Sequence, residues 1–389
     1  MSERLDERVL AAVQTALTGV DLPAPLHAPE FRGREWTYVK DCLDTGWVSS
    51  VGAYVDRIER DLEAFTGIGH AVAVSNGTAA LDVCLRLAGV EAEDEVLTPT
   101  LTFIATANAV TYRGAIPHFI DAEEMTLGVD PARLETYLGK IARLDEEVCI
   151  NTRTGRPIRA LMVLHVFGHP AQIEALVELA ARWKLVLVED AAEALGSRWE
   201  GRHLGGFGRV AAPSFNGNKI VTTGGGGAVL TNDPALAKRA KHLTTTAKVP
   251  HRWAFDHDEI GWNYRMPNLN AALGCAQLER LPDMLGRKAD LAGRYARAFE
   301  GVEGVRLMTP REGASVNHWL NALIIDRSDR TARDQLLETL NDAGYQARPL
   351  WTLMHRLPMY ADCPRDALPV AEGLEDRVID LPSSAALAE

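Results

Sequence analysis

Cysteine is scarce in this 389-residue chain. There are five, Cys42, Cys84, Cys149, Cys275 and Cys363, an odd number at wide spacing with no Cys-x-x-Cys. That excludes a disulfide scaffold and leads us to expect reduced thiols in a cytoplasmic protein, packed as small apolar residues. No apolar run approaches transmembrane length, so no membrane-spanning helix is expected. The start, Met1 to Arg8, is too charged for a secretory signal. Positive charge is not in excess: 41 Lys and Arg stand against 53 Asp and Glu, a net charge of −12. Nucleic acid and anionic membranes are therefore not expected as partners. A local arginine or a helix amino end can still hold a small anion on such a protein. Internal repeats and low-complexity tracts are also missing, and no metal site is assigned.

What is present begins with hydrophobic patterning. The hydrophobic fraction is 47% and the charged fraction 24%, ordinary for a soluble globular chain. Leu5, Val9, Leu10, Val13 and Leu17 share one helical face, which predicts an amphipathic leading helix packed on the body or on a partner subunit. From residue 34 onward, short apolar runs alternate with helical patterns. Ala71 to Ser75, Glu95 to Thr98, Ile116 to Ile120, Ala160 to Val166 and Leu185 to Val188 suit strands buried on both faces of a parallel sheet. Leu81, Cys84, Leu85 and Ala88 fall on one helical face after Thr78, and Asp130-Pro131 reads as a capped helix start. The alternation predicts a doubly wound α/β domain with a mostly parallel sheet. Residues 143–157 break the rhythm, with Thr154-Gly155 as the tip of an inserted hairpin. A charged helix from Met284 to Phe299, a strand from Trp319 to Ile325 and a helix near Thr331 to Ala343 predict a smaller α+β C-terminal domain. The expected division is a lead-in at 1–33, a large domain at 34–278 and a linker helix with a small domain at 279–389.

Chemistry concentrates at four places. The run Val72 to Leu81 reads as strand, tight turn and helix start, so the amides of Gly77 and Thr78 would face an anion. Taken alone, Ser75-Asn76-Gly77-Thr78 is an ordinary helix cap. Phe103 sits in the loop after a strand, placed to cover one face of a flat ring, although a large apolar side chain is usually buried for packing. Asp190 ends the run Leu185 to Val188-Glu189-Asp190, where ligands of open α/β sheets bind, though a strand-end Asp also caps helices. Glu193 follows three residues later, for a ring hydroxyl or a cap. Lys219 stands in Ser214-Phe215-Asn216-Gly217-Asn218-Lys219, ahead of Gly224 to Gly227. By base rate it is an exposed lysine, and Ser214 either binds phosphate through its hydroxyl or ends a strand. The four glycines form a loop that needs positive φ or close contact with another surface. In this order the elements describe a pyridoxal phosphate site: a lysine amine for the aldehyde and a carboxylate that keeps the ring nitrogen protonated.

The motifs SNGTAAL (75–81), PTLTFIATANAV (99–110), VEDAAEALGS (188–197), SFNGNKIVTTGGGG (214–227) and GWNYRMPNLNAALG (261–274) resemble the DegT/DnrJ/StrS-type sugar aminotransferases. These are fold type I pyridoxal phosphate enzymes, and the likeness runs from Gly46 to Ser384. It implies Lys219 as the Schiff-base lysine, Asp190 as partner of the pyridine nitrogen, Gly77, Thr78 and Ser214 on the phosphate, and Phe103 stacked on the ring. Asn263 matches an asparagine that reaches the neighbouring subunit's cofactor, which implies a homodimer. Glu193 departs from the glutamine common at its place. A lysine at 219, where some members carry histidine, argues against sugar dehydration. The resemblance further implies transfer of an amino group from glutamate to carbon 4 of a nucleotide-linked 4-keto-6-deoxy sugar in surface polysaccharide or deoxyamino sugar biosynthesis. The hairpin near Thr154 and the GWVSSVG segment are similar to the branch acting on UDP-linked N-acetyl sugars. Trp47, Ser49, Ser50, His257, Arg348 and His355 are candidate sugar-nucleotide contacts, each with a plainer reading as surface or packing. Among Arg32, Arg34, Arg265 and Arg348 the sequence does not choose a diphosphate ligand. The rival readings are amination at carbon 3, another pyridoxal phosphate reaction, and a non-catalytic regulatory protein of the same fold.

Overall fold

The computed structural model describes residues 4–389, so the first three residues of the charged start lie outside it. The predicted strands form, each within three residues of its expected start: β1 His70–Val74, β2 Glu95–Pro99, β3 Ile116–Ile120, β6 Pro157–Leu164 and β7 Val186–Asp190. Two strands not foreseen, Val210–Ala212 and Gly227–Thr231, complete the path of the large sheet. Its order is β1, Gly227–Thr231, Val210–Ala212, β7, β6, β2, β3. Every neighbouring pair is parallel except those involving Gly227–Thr231. The glycine run is thus a loop only as far as Gly226, and Gly227 opens the one antiparallel strand on this path.

Side-chain size alternates across the sheet. Ala71, Ala73, Ala211 and Ala228 join a core with Ile58, Leu62, Ala271 and Cys275, so small residues admit two helices close to that face. Val72, Val74, Val210 and Val229 belong to the other core, with Leu81, Cys84 and Leu85 of helix Gly77–Leu87. Opposite faces follow from the two-residue period of a strand. Helix Pro131–Ile141 starts as expected, with Asp130 Oδ1 accepting from the amides of Ala132 and Arg133 at 2.9 and 3.0 Å.

The insert is a meander rather than a single hairpin. Strand β4 (Ala142–Asp145) pairs antiparallel with β5 (Val148–Asn151), which pairs antiparallel with β6. Thr154-Gly155 is the tip of the second turn. That turn is anchored on buried Glu95, which accepts from Thr154 Oγ1 (2.6 Å), Asn151 Nδ2 (2.8 Å) and His118 Nδ1 (2.7 Å). Glu95 is the first residue of β2, so the insert lies at the amino end of the parallel strands.

The leading helix, Leu5–Ala16, buries Val9, Ala12, Val13 and Ala16 in a core shared with Leu291, Tyr295, Leu336 and Leu340. The linker helix is longer than expected: it runs from Asn268 to Ala298 and carries Pro282 inside it. It leads to a four-stranded antiparallel sheet ordered Val305–Leu307, Asn321–Ile325, Val378–Leu381, Arg348–Pro349. Cys42, Cys84, Cys149 and Cys275 are buried free thiols, and Cys363 is partly buried. No described helix is long and apolar enough to cross a membrane.

Candidate active site

The carboxyl ends of β1, β2, β6, β7 and strand Val210–Ala212 open onto one cavity of about 340 Å³. Gly77, Thr78, Phe103, Asp190, Glu193, Ser214 and Lys219 all line it, joined by Asn76, Asn216, Asn218, Trp319 and Trp351. Seven of the eight residues expected to hold the cofactor are therefore brought together within one chain.

At the head of the cavity, helix Gly77–Leu87 begins. Asn76 caps it, its Oδ1 accepting from the Ala79 amide at 2.8 Å. The cap and the anion site are the same structure: the capped turn leaves the amides at Gly77 and Thr78 free to face a phosphate. The backbone is packed too tightly there for side chains. A Cβ on Gly77 would meet Ser214 Cβ at 2.8 Å, and one on Gly227 would meet Asn76 C and Gly77 N at 2.8 Å. Gly224, at φ +78°, supplies the left-handed turn.

Phe103 ends the β2 loop and caps helix Ile104–Tyr112. It is 54% exposed, so the core-packing reading does not hold; its ring faces the cavity. Asp190 is buried at the end of β7. Its Oδ1 accepts from the Ala192 amide (3.2 Å) and its Oδ2 from Thr106 Oγ1 (2.7 Å). Burial pushes its carboxyl upward, opposed first by the Thr106 hydroxyl and then by the Ala192 amide, Lys219 and His165.

Glu193 caps no helix. Its Oε2 accepts from the Phe167 amide at 2.9 Å and its Oε1 from Lys219 Nζ at 3.4 Å. Burial raises its carboxyl to about 7, with the Lys219 charge pulling the other way. Lys219 is not the exposed lysine of the base rate, since its side chain is only 13% exposed. Its Nζ lies 3.7 Å from the centre of the Trp319 ring. Trp319 Nε1 donates to Asn218 O (2.8 Å) and its amide to Asn317 Oδ1 (2.9 Å), while Asn317 Nδ2 donates to Glu193 O (2.8 Å).

The donor set fits pyridoxal phosphate. There is a side-chain-free amide cradle with a serine for the phosphate, an aromatic face for the ring, a buried carboxylate for the ring nitrogen and an amine for the aldehyde.

The remaining expected residues lie elsewhere. Asn263 is exposed, does not line the cavity, and accepts from Arg265 at 3.1 Å. Trp47 borders a separate hollow with Gly52, Tyr54 and Asn268. Ser49, His257 and Arg348 are exposed and Ser50 is partly so. His257 Nδ1 faces Thr246 O at 2.8 Å. His355 packs behind the β2 loop, its Nδ1 2.8 Å from Thr100 Oγ1 and its Nε2 3.3 Å from Glu372. Arg32 pairs with Glu389, and Arg34 donates to Tyr38 OH at 3.1 Å. None of these substrate candidates lines the cavity of its own chain. Trp319 and Trp351, which do, were missed.

The model of the DegT/DnrJ/EryC1/StrS aminotransferase family matches residues 29–389. The chain is 37% identical to the GDP-perosamine synthase of Caulobacter vibrioides over 372 residues, 95% of each protein. It is 36% identical to that of Escherichia coli O157:H7 over 366 residues, 94% of each. Among solved structures, S. venezuelae DesV in complex with a ketimine intermediate is similar at 32% identity and a TM-score of 0.80, covering 91% of this chain and 90% of that one.

Proposed function

The chain belongs to the DegT/DnrJ/EryC1/StrS aminotransferase family, and on that premise we propose that it is a pyridoxal-phosphate-dependent sugar-nucleotide aminotransferase. It moves an amino group from glutamate to carbon 4 of a 4-keto-6-deoxy sugar carried on GDP. The observation that carries this reading is the convergence of Lys219, Asp190 and the Gly77 cradle on one cavity at the carboxyl ends of parallel strands.

Bound there, pyridoxal phosphate supplies an aldehyde and an electron sink. The chain's own residues do the rest. Gly77, Thr78 and Ser214 hold the phosphate, Phe103 covers the ring, and Asp190 pairs with the protonated ring nitrogen. Lys219 is the covalent anchor. Released from that bond, its Nζ would take up and return the substrate proton, first with glutamate and then, in reverse sense, with the keto sugar. General acid–base transfer by one positioned group is worth about 10²–10⁴-fold. Glu193, within reach of Lys219, keeps a carboxyl near neutrality beside that amine. The active unit is a homodimer in which Asn263 serves the neighbouring subunit's site; its position away from its own cavity supports this.

The carrier reading moves from UDP to GDP. Relatives named GDP-perosamine synthase support it. The insert that suggested UDP is tied to Glu95 at the far end of the strands. Carbon 4 rests on the likeness of the Asn218 to Gly224 run. The test is an amination assay with glutamate over GDP- and UDP-linked 4-keto and 3-keto sugars. Formation of a 4-amino GDP-sugar with equal 2-oxoglutarate is expected. Turnover confined to UDP-linked or 3-keto substrates overturns the substrate assignment, and no turnover with any overturns the function.

A further inference from the structure

Asp190 Oδ2 is held by a hydroxyl, and that hydroxyl is itself held. Thr106 Oγ1 donates to Asp190 Oδ2 at 2.7 Å, and Thr102 Oγ1 lies 2.6 Å from Thr106 Oγ1. Both threonines are fully buried. An ionised carboxylate only accepts, so the single Thr106 proton is committed to Asp190. The second contact therefore has one direction, with Thr102 donating to Thr106. A helical threonine ordinarily turns its hydroxyl back to a carbonyl one turn earlier, as Thr111 does toward Ala107 O at 3.2 Å in the same helix. Thr106 forgoes that bond. With the Ala192 amide on Oδ1, each carboxylate oxygen has one protein donor and keeps lone-pair capacity toward the cavity it lines.

We infer that Thr106 is a positioning residue for Asp190: its hydroxyl, oriented by Thr102, holds the carboxylate in the rotamer and charge state that pair with the ring nitrogen of a bound pyridine. This rests on the reading of Asp190 as the ring-nitrogen partner. The donors present agree with it, since burial opposes the Asp190 charge and the Thr106 hydroxyl is the foremost group restoring it.

The test uses purified cofactor-free protein and two probes, pyridoxal phosphate and its 1-deaza analogue, in which the ring nitrogen is replaced by C–H. Wild type binds pyridoxal phosphate more tightly than the analogue. Thr106→Val weakens pyridoxal phosphate about 10- to 100-fold, the range for a hydrogen bond to a charged group, and leaves the analogue unchanged. Thr106→Ser restores discrimination, and Thr102→Val gives a smaller loss than Thr106→Val. Equal weakening of both probes in Thr106→Val overturns the inference, as does wild-type discrimination in that variant or failure of Thr106→Ser to rescue. Wild-type protein that binds neither probe overturns the cofactor reading, and this inference with it.

Discussion

The Lys219 ammonium lies over the face of Trp319, 3.7 Å from the ring centre, and 3.4 Å from Glu193 Oε1. Trp319 lies just before strand Asn321–Ile325 of the four-stranded sheet and is tied to the lysine turn, because its Nε1 donates to the carbonyl of Asn218, Lys219's own neighbour. An ammonium over a desolvated indole gains about 2 kcal/mol. The indole thus gives the amine a defined resting place when it is not bonded to cofactor.

Replacing that platform slows turnover. Trp319→Leu is expected to lower kcat by roughly 10- to 30-fold, with KM for glutamate little changed. Trp319→Phe, which keeps an aromatic face but not the tie to Asn218, falls between. Steady-state kinetics check this ordering; a Leu variant as fast as the Phe variant contradicts it.

The glycine run is read by contrast. A Cβ at Gly227 strikes backbone atoms of Asn76 and Gly77 at 2.8 Å, whereas at Gly225 the nearest atom is Ser75 O at 3.9 Å. Gly227→Ala is expected to cost about 1–3 kcal/mol and to weaken cofactor capture by displacing the phosphate turn. Gly225→Ala should leave both unchanged. Denaturant melts and cofactor titration of the two variants decide.

Glu193 makes stability depend on pH. Its carboxyl, raised from 4.5 to about 7 by burial, stays protonated in the folded protein over an interval in which the unfolded chain has released the proton. The contribution of Glu193 to the stability of the cofactor-free protein therefore falls as pH rises from about 4.5 to 7, against a rise from the buried histidines His27, His169, His203 and His318, whose burial lowers their pKa below the usual 6.5. Lys219 opposes the shift, while Asp190 reinforces it; Asp380, buried and itself raised partly by Glu193, adds a decline of the same sign. Glu193→Gln should remove that falling contribution and make the slope of stability against pH more positive across this window, as thermal melts at a series of pH values will show. An unchanged slope counts against the assignment.

At the opposite end of the sheet, Glu95 carries three side-chain donors. Glu95→Ala strands the buried side chains of His118 and Asn151 and releases the exposed turn at Thr154, and should destabilise by about 3–5 kcal/mol. Turnover per folded molecule should stay at the wild-type level. A specific loss of turnover would instead tie the insert to substrate.

Much of this was legible because the signals are local. Asp130 caps its helix, the β-branched runs are strands of the large sheet, and Gly77 follows one of them while Asp190 ends another; the strand Val210–Ala212 that leads to Lys219 was not foreseen. Gly227–Thr231 was hidden because glycine reads as loop, whereas Gly227 is required because a Cβ there would lie 2.8 Å from the backbone of Asn76 and Gly77. The start of the Asn268–Ala298 helix was obscured by Gly274 and Pro282. Gly274 is there because a Cβ would press on Ile58 and Thr223 at 2.4 and 2.7 Å. Trp319 carries no local signature at all: its place over Lys219 is set by how the small sheet docks, and no sequence period reports that. The substrate candidates lie outside the cavity of their own chain, and exposure on one chain says nothing of which loops meet a sugar nucleotide.

The most direct measurement is chemical trapping. Protein loaded with pyridoxal phosphate is reduced with borohydride, digested and mapped by mass spectrometry. The account predicts a single phosphopyridoxyl group on Lys219, absent from Lys219→Ala. An adduct on another lysine, or none in protein shown to hold the cofactor, would contradict it.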